Sequence, residues 1–539
     1  MSTFPSIFND VLGPVMRGPS SSHSAAALRI GRMARDLMAG ELDKVVVDYD
    51  PNGSLVTTHE SQGSDLGLFG GLMGWETDDA RLPNFREEIT RAGIDVEIRY
   101  LSYGAVHPNT YRLSLKNSRG EQGMRAISTG GGMIEIQEIN GVTVSMQGDY
   151  FELLVFVSDG VDGLAGWLRK DFDFEDVITA EGDGVTLIEV KSRLMPDQEL
   201  LDELRSNDSV CSVCVLKPVL PVLASRDMHV PFINGEEMQS YRAESGAAMT
   251  LGELGACYEA ARGGITADEV RKRMAELIAI MEESIKIGLG GTEYADRILP
   301  CQSVNFGRKM DKGGLVPGDV LNRVILYVTA MMEMKSSMGV IVAAPTAGSC
   351  GALPGALLGV ADALGKDTDE RVEAMLAAGL IGVFIADGAT FAAEEAGCMA
   401  ECGSGASMGA AGIVSLAGGS YEQQVGAASM ALQNSLGMTC DTLANRVEAP
   451  CLGRNVTAAS NALSSANMAL ADFRHLVPID QVIVAMREVG ELMPREICCT
   501  GLGGLAVTPA SREIAKQLEE KKSKTGSTGG KVQAEQGQE

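Results

Sequence analysis

The chain changes its hydrophobic rhythm once, and that change limits what it can fold into. Up to about residue 222, short runs rich in β-branched and aromatic residues alternate with turns. From about 241 to 516, apolar residues recur at helical spacing, and Ala, Gly, Met and Leu dominate. A period of two suits a strand and a period near 3.6 suits a helix, so one cannot substitute for the other. The expected fold is multidomain α+β, with a strand-containing front and an all-α back.

Within the front, "KVVVDYD" (44–50), "DVEIRYLSYG" (95–104), "TYRLSLKNSRG" (110–120) and "MIEIQEINGVTVSMQ" (133–147) read as strands. "SAAALRIGRMARDLMAG" (24–40) reads as a helix behind a serine-rich cap. Residues 1–149 are therefore expected to form an α/β domain. Residues 150–222 follow the order β-α-β-β-α-β, the ferredoxin-like plan. Residues 223–240 read as a linker, 241–516 as the all-α domain, and the polar residues 517–539 as a disordered tail.

A chain of 539 residues exceeds one ordinary core. Its net charge of -27 opposes the displacement of counterions from a polyanion, so nucleic acid is not an expected partner. The apolar stretch 374–393 carries Asp387 and several glycines and reads as a buried helix, so no membrane is expected either. The opening residues lack the basic start and apolar run of a signal peptide. A cytoplasmic location with reduced thiols is expected for the eleven cysteines.

Four of those cysteines sit where glycine or proline breaks the helical pattern. Cys398 and Cys402 lie in "GCMAECGSGASMGAAG", and Cys440 and Cys451 in "GMTCDTLANRVEAPCLGRN". On residues alone, two readings stay open. Buried cysteine is commonly a small hydrophobe. Alternatively, three thiolates on a four-iron cluster would leave one iron open as a Lewis acid. Cys211 and Cys214, three apart on a strand, point to opposite faces and read as structural. Cys350, Cys498 and Cys499 read as structural too, while Cys402 is an alternative to Cys398.

Three further motifs each carry a bland and a chemical reading. "GPSSSHS" (18–24) is either a helix cap or a carboxylate cradle of hydroxyls and backbone amides. "APTAGSCG" (344–351) is either a tight turn or a loop whose backbone approaches a substrate. Arg454 and Asn455 either pack a helix start or position the site. Of five histidines, His23 and His107 lie in motifs and His59 lies near one, while His229 and His475 read as structural.

These motifs, with "AVHPNTYRL" (105–113) and "GGGMIEI" (130–136), occur in an order that resembles the iron–sulfur L-serine dehydratases, or L-serine ammonia-lyases. The likeness runs from about residue 5 to 515, with β-type and α-type parts fused and an ACT-like segment between them. It implies a [4Fe-4S] cluster on Cys398, Cys440 and Cys451. It implies substrate contacts from Ser20, Ser21, Ser22, Ser24, Asn109, Thr346, Gly348 and Ser349. His107 is the first candidate for the base and His23 the second, since neutral imidazole suits proton abstraction near pH 7. The reaction implied is loss of water from L-serine, then hydrolysis of the resulting imine to pyruvate and ammonia, without pyridoxal phosphate. A small amino-acid substrate and a homo-oligomer, a dimer, are the expected partners.

The chain departs from the pattern at "SQGSD" (61–65), where many relatives carry "GHGTD". Gln62 cannot act as a base, and His59 lies two residues before the segment. Ser24 stands where a threonine is usual. The cysteine with which some relatives end is not matched here, unless Cys498 or Cys499 takes its place. Activity on L-threonine or another small β-hydroxy amino acid, or a non-catalytic amino-acid sensor, are the alternatives. A pyridoxal-phosphate enzyme would need a glycine-rich cup after Lys335, and none follows.

Overall fold

The computed structural model describes residues 4–158, 160–182, 184–246 and 248–524. They divide into two compact units. His23–Asp227 form the first; residues 4–22 together with 228–524 form the second.

The first unit holds two sheets. The six-stranded sheet has the order Asp95–Tyr100, Lys44–Tyr49, Thr110–Asn117, Gly120–Gly130, Met133–Ile139, Val142–Met146. Only the first pair is parallel. Alternate residues of these strands, among them Val45, Val47, Leu113, Leu115 and Ile136, are buried in one core with Ile30, Met33 and Leu37 of the helix Ala26–Leu37. That helix lies against Ser64–Leu72 at a distance only small residues permit. A Cβ on Gly71 would run into the carbonyl oxygen of Leu28.

The four-stranded sheet runs Val210–Leu216, Phe151–Val157, Val185–Ser192, Asp176–Gly182, antiparallel throughout. Helices Val161–Asp171 and Gln198–Ser206 complete the β-α-β-β-α-β order. One sheet face shares its core with the six-stranded sheet, through Leu154, Phe156, Leu187 and Leu216. The other packs its own helices through Leu153, Val155, Leu168 and Leu201.

The second unit is helical. Thr368–Gly388 packs against Leu251–Gly263 and Ser404–Leu416, and Cys451–Leu470 packs against Ser404–Leu416 and Asp319–Ser336. Residues 4–22, grouped above with the α/β domain, belong to this unit instead. The reason is a buried carboxylate. Glu259 accepts the Ser6 hydroxyl at 2.5 Å and the Ile7 amide at 2.7 Å, and Val15–Met16 pairs with Ile341–Val342. The expected linker is also shorter. A helix, Gly235–Glu244, begins within it, capped by Asn234 and bound through its first amides by Asp480. Helix Pro509–Lys524 carries residues 517–524, expected in the tail, because Gln, Leu, Glu and Lys sustain a helix. The remainder of that expected tail lies outside the described residues.

Among the described residues, no single helix is long and apolar enough to cross a membrane. The apolar pair Thr368–Gly388 and Ala393–Leu416 has the length together but bends by 90°, and most of its residues are buried within the unit.

Gly71→Ala forces the two helices of the first unit apart. It should cost about 3 kcal/mol by overpacking, read as a lowered denaturant midpoint, whereas Gly166→Ala, with open space at its Cβ on the helix Val161–Asp171, should cost nothing.

Candidate active site

Three breaks in helical structure bring the cysteines of the second unit together. Cys398 ends the segment Ala393–Cys398, which is broken at Ala396 and at Gly397, whose φ is 61°. Cys440 lies in an extended stretch, its amide donating to the Ile497 carbonyl at 2.8 Å and its carbonyl accepting from Cys499 at 2.9 Å. Cys451 opens the helix Cys451–Leu470 after Pro450. All three are buried, and Cys398, Cys440 and Cys499 pack in one cluster with Ala393.

The sulfurs are electrostatically linked. Hydrogen bonds from Cys402 and Cys440 hold the Cys398 thiol well below its ordinary pKa, and the Arg454 guanidinium adds to this. The thiols of Cys402 and Cys440 are pushed up in return by their bonds to Cys398. Burial pushes Cys451 up. Arg454 donates from Nη1 to the Cys398 sulfur at 3.4 Å and from Nη2 to Asp441 and to Thr439. Among the described residues, no group of three or more His, Cys, Asp or Glu side chains is set to hold a metal ion. The donor chemistry itself fits a thiolate-held iron–sulfur group, with soft sulfurs on three segments, enclosed beside a guanidinium.

The loop 344–351 is tied to these thiols by one amide. Asn455, fully buried, accepts at Oδ1 from the Gly351 and Ala352 amides at 3.2 and 2.9 Å. Its Nδ2 donates to the carbonyls of Gly348 at 2.8 Å and Cys451 at 2.9 Å, with the Cys402 sulfur at 3.6 Å. Within the loop, the Thr346 and Ser349 hydroxyls lie 3.1 Å apart. Ser21 accepts from the Ala347 amide at 3.1 Å. Ser20 and Ser22 flank it, the first half-buried and the second buried.

Glu401 was not singled out from the sequence. It accepts the Thr346 hydroxyl at 2.6 Å, and burial followed by the charge of Cys398 pushes its carboxyl up to about 8. The available signal was an acid placed between Cys398 and Cys402 in a run of small residues. Lys335 is wholly buried and donates to the Val447 carbonyl.

The other candidates lie in the first unit. His23 is buried, its Nε2 2.9 Å from the Thr58 hydroxyl, which donates to the Ser54 carbonyl. Burial, then the charge of His59, lowers its pKa to about 4, so it is neutral at pH 7. Ser24 donates to the Gln62 carbonyl at 3.2 Å. Asn109 is buried and accepts the Ser54 hydroxyl. His107, half-buried, accepts the Asn109 amide at Nδ1 at 3.2 Å, which places the proton of its neutral form on Nε2. His59, left aside as only a neighbour of the motif, has a defined frame. Its Nδ1 is 2.7 Å from Asp65 and its Nε2 2.8 Å from the Tyr100 hydroxyl. The candidates thus form two groups. Ser21, Thr346, Gly348 and Ser349 join the thiol site, while His23, Ser24, His107 and Asn109 belong to the first unit.

Because folding depresses the His23 pKa from its ordinary 6.5 to about 4, the unfolded chain binds a proton there that the folded chain excludes. Stability is therefore lost as pH falls from about 6.5 to about 4, by up to about 3 kcal/mol. Denaturant midpoints measured across that window should fall in the wild type and fall less in His23→Asn.

The chain matches known proteins over both units. The family model described as serine dehydratase alpha chain matches residues 189–506. A probable L-serine dehydratase alpha chain of Bacillus subtilis is 36% identical over 253 residues, 47% of this chain and 84% of that protein. The L-serine dehydratase alpha chain of Peptoniphilus asaccharolyticus is 37% identical over 254 residues, 47% of this chain and 87% of that one. A probable beta chain of Bacillus subtilis is 34% identical over 216 residues, 39% of this chain and 97% of that protein. Alpha and beta parts, separate in that organism, are joined in one polypeptide here, and the chain belongs to the serine dehydratase alpha chain family.

Proposed function

We propose that the protein is an iron–sulfur L-serine ammonia-lyase, converting L-serine to pyruvate and ammonia. The observation that carries this is the pairing of an enclosed thiol site with a hydroxyl-bearing loop through Asn455, in a chain of the serine dehydratase family. Cys398, Cys440 and Cys451 would hold a [4Fe-4S] cluster, which would supply a Lewis acid for a departing hydroxyl.

The protein's own groups do the rest. Asn455 fixes the loop so that its backbone and the Ser349 hydroxyl face the substrate carboxylate, with the Thr346 hydroxyl beside them donating to Glu401. Ser20, Ser21, Ser22 and Ser24 supply further hydroxyls, and Gly348 lets the backbone approach closely. His107 and His23 are the groups assigned to the Cα proton. Of these, His23 is kept neutral by burial, the form a base requires. Asn109 sets the His107 tautomer by donating to its Nδ1. The segment 151–216, with its 4-1-3-2 strand order, reads as an ACT-like module, serving regulation or self-association. A cytoplasmic homo-oligomer is the accompanying reading.

Anaerobically purified protein should release ammonia and pyruvate from L-serine, and brief exposure to air should abolish both. His107→Ala should retain its iron but lose at least about 100-fold in kcat, the usual weight of acid–base catalysis. Air-stable turnover would contradict the iron–sulfur reading. Iron-loaded protein inert toward L-serine would redirect it to another β-hydroxy amino acid.

A further inference from the structure

Glu401 stands beside the Thr346–Ser349 loop with no task in the mechanism above. Its Oε1 accepts the Thr346 hydroxyl at 2.6 Å. Its Oε2 makes no hydrogen bond, and the carboxyl no ion pair, with any described residue. Gly348 lets that carboxyl lie directly over the loop, since a Cβ there would stand 2.6 and 2.7 Å from its two oxygens. The cation whose field reaches it, Lys335, is turned to the Val447 carbonyl instead. The residue nonetheless keeps part of its surface accessible. An enclosed carboxylate short of a cation is costly until a cation arrives. An α-ammonium group brings one, with three N–H donors.

We propose that Glu401 receives the α-ammonium group of the amino-acid substrate at Oε2, and so selects an amino acid over the corresponding hydroxy acid. This rests on the amino-acid lyase reading and adds to it the residue that recognises the amino group. Thr346 is then the positioning residue, since its hydroxyl occupies Oε1 and leaves Oε2 to the ligand.

The test uses the full chain under anaerobic conditions, with L-serine affinity read as KM from ammonia release, or by calorimetry if no ammonia is released, and that of L-glycerate, which carries a hydroxyl where serine carries the ammonium, by calorimetry. The wild type should bind L-serine about 10- to 100-fold more tightly, the ordinary weight of a charge-assisted hydrogen bond. Glu401→Gln should bring that ratio close to one while leaving the affinity for L-glycerate and the iron content unchanged. Glu401→Asp, which keeps the charge on a shorter arm, should fall between. An unchanged ratio in Glu401→Gln overturns the proposal, as does loss of iron, which would make Glu401 a metal ligand. Equal weakening of both compounds overturns it as well and leaves only a structural role. If the wild type binds L-serine but releases no ammonia, the lyase reading fails while the ratio still decides the role of Glu401.

Discussion

One buried amide holds the candidate site in shape. Asn455 spends its acceptor on the first amides of the helix Ala352–Leu364 and its donors on the carbonyls of Gly348 and Cys451. No other residue of that size serves two donors and two acceptors at once. An aspartate lacks the N–H groups, and a leucine would remove the bridge altogether, leaving the Gly351 amide without its acceptor at about 1–3 kcal/mol. The loop that presents Thr346 and Ser349 is therefore fixed relative to the segment that presents Cys451. The geometry of the candidate site depends on that fixity.

The electrostatics of the site run against those of the whole chain. The sequence carries a net charge of -27, yet the thiols lie beside Arg454 and within the field of Lys335. Arg454 also reaches outward. It pairs with Asp441, whose other oxygen accepts the Leu505 amide at 2.8 Å, so the turn Gly504–Val507 is tied to the same guanidinium. The guanidinium favours the thiolate of Cys398, whereas burial and the bonds to Cys398 favour the thiols of Cys451 and Cys440.

Much of this was legible in the sequence, for reasons that also mark where legibility stopped. The strands at 95–100, 110–117 and 133–139 alternate apolar with polar residues, the one at 44–49 is marked by its valines, and the structure has all four there. Gly120–Gly130 was missed because its glycines and two bulges interrupt the alternation. Glycine and proline announced the breaks that place Cys398 and Cys451, since those residues act locally. Contacts between distant segments left no such mark. The buried Glu259 that draws residues 4–22 into the second unit lies about 250 positions from its partners. Glu401 finds Thr346 across 55 positions, and His59 finds Tyr100 across 41. Each such residue, read alone, is an ordinary helix residue.

The most direct test of the central claim is an iron and acid-labile sulfide count on the anaerobically isolated chain, set beside the same count on Cys440→Ser. The account predicts about four irons and about four sulfides per chain in the wild type and near-total loss in the variant. Wild-type protein free of iron, or a variant that keeps its full complement, would contradict it.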